Sequence, residues 1–329
     1  MEQIQAMPIK YILLLVLHFT FFQISYAQQP VDTLIHKLDS LSKKSDSAGY
    51  QINNTKENAY NNVTKLSARD YFILLGSNIK QSFTKPFHMT RQDWKKFGIF
   101  SGIAIATGFA DEPIQSGALK WRTKSNAVRN TGNYISRFGG VYEVYTLAGF
   151  EAYGLLFKNE KVKNTTLLAT QAYVTGALVE AVLKTLSGRT RPDFYGQFAD
   201  AEPTFIGPFG NTSKNASGQR SNSSFPSGHT TVAFAAATVF AKEYANKPLV
   251  PIIAYSAATL IGVSRITENK HWATDVLVGA ALGYLTGRQV VNNYHRFAKI
   301  KTTAKKKGQL SFNLNYDFGK MMPAVTYKF

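Results

Sequence analysis

The 329-residue sequence contains no cysteine. That excludes disulfides, thiolate-bound zinc, a thiol nucleophile and a lipid-modified cysteine behind a leader. Acidic residues are scarce as well: 20 Asp and Glu stand against 38 Lys and Arg, a formal net charge of +18. Such an excess suits an anionic partner, whether a phosphate substrate, an anionic lipid or a nucleic acid. Most of the lysines are scattered, as on any solvated surface. The exception is 299–307, with five lysines in nine residues, a stretch suited to touching a membrane surface. Long apolar runs are also missing. A bilayer span takes about 20 mostly apolar residues, whereas the uncharged run at 97–110 has 14. Mean hydropathy is −0.16, low for a chain made mostly of spanning helices.

What is present is enough for a folded core, with 44% hydrophobic residues. The N-terminus reads as a secretory leader: Lys10, an apolar run at 11–22, then Ser25-Tyr26-Ala27 as a small-x-small cleavage signal. A short amphipathic helix is expected at 31–44, a polar linker at 45–64, and a second amphipathic helix at 70–83, ended by Pro86. Six helical segments follow, near 94–110, 141–157, 167–186, 230–245, 249–266 and 272–294, separated by Gly and Pro. The boundaries expected are 1–27 leader, 28–92 amphipathic helices and linker, 93–297 helical domain, and 298–329 basic linker and C-terminal β-hairpin. The hairpin rests on Leu310, Phe312, Leu314, Tyr316 and Phe318 alternating with polar residues, and on Val325, Tyr327 and Phe329.

Three blocks carry chemistry. The first is Lys184, six residues, then Arg191-Pro192. The second is Pro226-Ser227-Gly228-His229. The third is Ser264-Arg265, five residues, His271, three residues, Asp275. Fixed cations stabilise the charge on a phosphoryl group in transfer, and Lys184, Arg191 and Arg265 supply three. Arg189, two residues before Arg191, lacks the block's spacing and its following proline. Ser227-Gly228-His229 opens a helix, where backbone N–H groups favour an anion. Gly228 permits close approach, and Ser227 adds a hydroxyl donor. The His229 imidazole is placed to act as nucleophile. His271 and Asp275 are four apart, hence on one helix face, so the carboxylate can orient the imidazole as acid and then base. Glu180, one turn before Lys184, suits an ion pair with it or with another cation, and equally an unrelated core polar contact. The link at 193–225, rich in Gly, Asn and Ser with interspersed aromatics, is expected to pass over this site as a lid or a packed surface loop. No metal or other cofactor is needed for the scheme.

Each block alone is common; eleven specified identities in order are not. Together they resemble the type 2 phosphatidic acid phosphatase superfamily, which also holds class A acid phosphatases and vanadium haloperoxidases. The resemblance covers roughly 94–294. It implies an all-α bundle and a metal-free phosphohistidine mechanism. By it, His229 is the nucleophile, His271 the acid then base, Asp275 its orienter, and Lys184, Arg191, Ser227, Gly228 and Arg265 the phosphate ligands. A phosphorylated lipid or small phosphoester is the expected substrate, with membrane-surface contact and no nucleic acid. The alternatives are vanadate-dependent halide oxidation and a non-catalytic lipid-binding bundle. The leader and the charges inside the helices place the expected bundle in the cell envelope, on the periplasmic side, soluble or lying on a membrane, with full embedding left open.

Overall fold

The computed structural model describes residues 63–194, 202–210, 222–306, 309–317 and 320–328, without the side chains of 300 and 302–329. The expected leader, the helix at 31–44 and most of the linker at 45–64 lie outside the described residues. Among those described, residues 63–306 form one helical bundle. Helix α1 (Ala68–Thr84) and α2 (Arg91–Phe109) each open with a capping box, Ser67 with Asp70 and Thr90 with Asp93. These reciprocal bonds satisfy N–H groups that a helix start leaves unpaired. A 3-10 turn at Lys85–His88, carrying Pro86, separates the two.

Next come α3 (Asp111–Lys124), α4 (Asn126–Ile135), a 3-10 turn at Ser136–Gly139 and α5 (Val141–Leu156). Helix α6 (Glu160–Ser187) is capped by the Asn159 side chain and ends at Gly188, whose φ of 55° is left-handed. Only glycine adopts that conformation readily, and a Cβ here would lie 2.2 Å from the Gly207 carbonyl oxygen. Helices α7 (Gly228–Glu243), α8 (Leu249–Thr267) and α9 (Ala273–Lys306) complete the bundle. The six expected segments are all helical. The stretch 111–135, assigned to nothing in the sequence, adds α3 and α4.

The bundle is built around α7, which packs on α6, α8 and α9. Its tightest seam is with α9, where Gly279, Gly283 and Gly287, four apart, turn one glycine face to α7. A Cβ at Gly283 would stand 2.3 Å from the Thr231 carbonyl oxygen. Small residues at this spacing let two backbones touch. One apolar cluster gathers residues of α1, α5, α6, α7 and α9, among them Leu74, Leu147, Leu168, Val239 and Phe297. The amphipathic helix expected at 70–83 docks as α1 through buried amides. The Asn78 amide donates to Gln171 at 3.0 Å, and the Asn293 amide donates to Asn78 at 2.6 Å.

Polar and apolar residues are distributed against the habit of a soluble bundle. Glu143, Gln171 and Glu180, which interrupt the apolar segments of the sequence, are buried. Meanwhile Phe97, Ile103 and Phe109 of α2, Val141, Leu155 and Leu156 of α5, and Leu249, Ile252 and Ile253 of α8 are exposed. Helices α6 and α8 have the length and apolarity to cross a membrane. At the C-terminus, Gln309–Asp317 and Lys320–Lys328 pair antiparallel by backbone. The turn of the expected hairpin, 318–319, and its side chains lie outside the described residues, so the hairpin itself is not established.

Candidate active site

The three blocks converge where the C-terminal end of α6, the start of α7, the end of α8 and the start of α9 meet. The αL turn at Gly188 sends the chain away from α6, and the Thr190 N–H donates to the Thr204 carbonyl at 2.9 Å. Arg191 is thereby brought back beside the start of α7. Its guanidinium donates to the Ser223 hydroxyl and carbonyl, at 3.1 and 3.2 Å, and to the Lys270 carbonyl, at 3.2 Å. The Ser227 N–H donates to the Asp275 carbonyl at 3.0 Å, which ties the starts of α7 and α9 together. That bond puts His229 and His271 in one pocket.

Lys184, Arg191 and Arg265 all stand close enough to His229 to act on its proton. Burial first, then these three cations, push the His229 imidazole down to about 3. The ring is therefore neutral across the ordinary range, the form in which it is nucleophilic. Gly140, the residue before α5, lies against it: a Cβ there would be 3.3 Å from Nε2. His271 is fully buried and held well below its ordinary value by burial and then by Arg191, Arg265, Lys184 and His229.

The cations differ in their partners. Lys184 pairs with Glu180, one of the readings the sequence left open for that glutamate. A Cβ at Gly228 would press to 2.7 Å on that glutamate, so the glycine serves the approach of α7 to the Glu180–Lys184 pair. Arg265 is 7% exposed, yet its side chain donates no hydrogen bond to any described residue. Glu268 and Asp193 act on it through charge alone; a buried guanidinium without hydrogen bonds is costly, and an anion brought in from outside can supply them. The Ser227 hydroxyl is fully buried and accepts from Thr230 at 2.9 Å.

His271 and Asp275 do lie together, Nδ1 to Oδ2, at 3.5 Å. This is longer than a hydrogen bond, and His271 Nδ1 has no hydrogen-bond partner among the described residues. The nearer partners of Asp275 are different. Arg189 Nη1 donates to Oδ1 at 2.6 Å, while the Trp272 N–H, at 2.9 Å, and the Ser224 hydroxyl donate to Oδ2. Burial raises the Asp275 carboxyl, and Arg189, Ser224 and Trp272 pull it the other way. Arg189, set aside in the sequence for want of spacing, is thus bound directly to the site. Its sequence signal was the Gly188-Arg189 turn itself. Asp111 and Ser224 belong to the same cluster and had no such signal. The link at 193–225 is described only in part. Within it, Phe205 stacks edge-on against Phe225 at 5.9 Å, beside the site.

The model of the PAP2 superfamily matches residues 165–299, the part of the chain that carries all three sequence blocks and Arg189, though not Asp111. A lipid A 1-phosphatase of Porphyromonas gingivalis is 52% identical over 65 residues, 20% of this chain and only 15% of that protein. A lipid A 1-phosphatase of Rhizobium etli is 32% identical over 203 residues, 57% of this chain and 78% of that protein. Among solved structures, a transmembrane PAP2-type phosphatidylglycerolphosphate phosphatase from Bacillus subtilis is 26% identical. It covers 64% of this chain and 94% of that one with a TM-score of 0.42. With its site-bearing helices matched by the family model and most of one relative's length aligned to it, the chain belongs to the PAP2 superfamily.

Proposed function

We propose that the protein is a phosphatase that removes a phosphate from a phosphorylated lipid through a phosphohistidine at His229. The observation that carries this reading is Arg265: a buried guanidinium with no described hydrogen-bond partner, beside Lys184, Arg191 and a neutral imidazole. Three cations around an uncharged nucleophile suit a phosphate dianion. The His229 imidazole attacks phosphorus and the P–O bond to the lipid breaks. His271 gives its proton to the departing oxygen. Water then attacks the phosphohistidine, His271 takes a proton from that water, and phosphate leaves with His229 restored. Lys184, Arg191 and Arg265 hold the equatorial oxygens throughout. Burial and the neighbouring cations discourage a proton on His271; a bound dianion offsets those cations and favours the imidazolium the first step requires.

A lipid substrate is supported by the names of the curated relatives and by the apolar exterior of α2, α5 and α8. The site is read as lying in the cell envelope, on the periplasmic side, with the bundle held in lipid by that exterior. The test is phosphate release by the purified chain after chelator treatment, from a lipid phosphate and from p-nitrophenyl phosphate. Wild type is expected to be active on the lipid, and His229→Ala to lose ~1,000-fold or more. Full activity in His229→Ala would falsify the mechanism. Halide oxidation that appears only with vanadate would replace the reading with another.

A further inference from the structure

We infer that Arg189 and Asp111 are positioning residues that fix the Asp275 carboxylate and preserve its negative charge for His271. The inference rests on the roles proposed above for His271 and Asp275. Its basis is a buried chain of ions that the three sequence blocks do not contain. Arg189 spans two carboxylates, with Nη1 on Asp275 Oδ1 and Nη2 on Asp111 Oδ2, each at 2.6 Å. The side chains are 2%, 0% and 0% exposed for Arg189, Asp275 and Asp111. Asp111 is locked in turn by α9: the Thr274 N–H donates to Oδ1 and the Thr274 hydroxyl to Oδ2, both at 2.9 Å. The Arg189 guanidinium lies over the Phe205 ring at 4.8 Å and the Trp272 ring at 5.7 Å, which fixes its plane. The Trp272 indole donates to the Thr190 carbonyl at 2.8 Å.

The charge count gives this arrangement its meaning. Burying ions costs more solvation than a simple pair returns, so stability alone is a poor reason for the cluster. A lone Arg189–Asp275 pair would be neutral and would offer little to an imidazolium. Asp111 adds a second carboxylate to the same guanidinium, and the three groups together keep one negative charge. That surplus faces His271, whose Nδ1 sits 3.5 Å from Asp275 Oδ2. The other charged groups that act on His271 all oppose its proton: Lys184 from α6, Arg191 from the link after it, Arg265 from α8, with His229 from α7 beside them. The remaining acids nearby are engaged elsewhere, Glu180 with Lys184, Glu268 with Arg122 and Asp193 with Lys270. The Arg189–Asp111–Asp275 chain is thus the arrangement that counters the cations at the imidazole which must carry a proton.

The experiment compares kcat and KM against pH for the purified full chain on a lipid phosphate. It uses Asp111→Asn, Arg189→Gln, the double variant, and His229→Ala and Asp275→Asn as controls. Asp111→Asn removes the surplus charge. It is expected to lower kcat ~10- to 100-fold with KM little changed, as loss of a supporting partner does. It also moves the alkaline limb of kcat to lower pH, because the imidazolium loses support. Arg189→Gln moves the limb the opposite way. The double variant, again with one net negative charge, returns the limb toward wild type while kcat stays low. An unchanged limb in Asp111→Asn, or a double variant whose limb stays with Asp111→Asn, overturns the inference. If Asp111→Asn does not fold, as judged by thermal unfolding, Arg189→Gln against the double variant reads the same charge step. Activity in His229→Ala would instead overturn the phosphatase mechanism. Inactive controls beside a wild-type profile in the Asp111 and Arg189 variants would sink the positioning role alone.

Discussion

His229 and His271 are imidazoles that the fold keeps neutral, and this links stability to pH. Both have folded values below the unfolded 6.5, about 3 for His229 and well below 6.5 for His271. The unfolded chain therefore binds more protons under pH 6.5 than the folded one. Stability from these groups is full above 6.5 and is lost as pH falls from there toward 3. Thermal unfolding of the empty protein is expected at lower temperature at pH 5 than at pH 7. Inorganic phosphate should restore part of the loss by binding only the folded state. A slope equally steep in the His229→Asn, His271→Asn double variant would show that other groups set it. Arg265 offers a second prediction. Arg265→Ala should cost ~100-fold or more in activity, the scale of removing one preorganised charge. Its melting temperature should hold or rise, because a buried cation that makes no hydrogen bond among the described residues is gone. A variant that loses stability and activity together would count against Arg265 as an anion ligand. At this scale the sequence was readable wherever chemistry and spacing coincide, as in Lys184, Arg191, His229, His271 and Asp275. It was silent on Asp111 and on the pairing of Asp111 with Arg189, which lies 78 positions away and meets it only through the bundle.

At the scale of elements, the position of the two site histidines depends on how near α9 comes to α7. The glycine face at 279, 283 and 287 permits that approach, and the Ser227–Asp275 backbone bond records it. Gly283→Val puts a branched side chain where a Cβ already meets a backbone oxygen at 2.3 Å. The cost expected is ~1–3 kcal/mol of stability, the range for overpacking, with activity lowered because the two histidines separate. Chemical denaturation and turnover measured on the same sample check it. A variant with wild-type stability and rate would mean that the seam has slack. The six apolar segments of the sequence all became helices, since Gly and Pro marked their ends. Helix α3 escaped for a specific reason: the side it buries carries Asp111, Gln115 and Arg122, while Ile114 and Trp121 are exposed. A search for an apolar stripe finds nothing in a helix whose inward residues are polar.

The whole molecule repeats that inversion. Buried glutamates and glutamines with phenylalanine, isoleucine and leucine outside fit the proposed membrane association, as do two helices long and apolar enough to cross a membrane. Membranes carrying the protein are expected to retain it through an alkaline carbonate wash and to release it only with detergent. Release by carbonate would confine it to the membrane surface. Replacing Ile103 and Phe109 of α2, exposed and outside the site, with Ser should weaken that retention and leave turnover in detergent unchanged.

The sequence by itself determined the family and marked the candidate site residues, because each block is local: spacing along one helix or across one turn decides which side chains share a face. It also marked the main helices, since Gly and Pro punctuation acts over a few residues. Only the tertiary structure decided which way the polar residues of those helices face, and therefore that the charges breaking the apolar runs belong inside. It alone joined Arg189 to Asp111 and Asp275, because the contact of residues 78 and 86 positions apart is set by helix packing. A buried ion finds its partner through the closeness of backbones, and no pattern read along the chain encodes that distance.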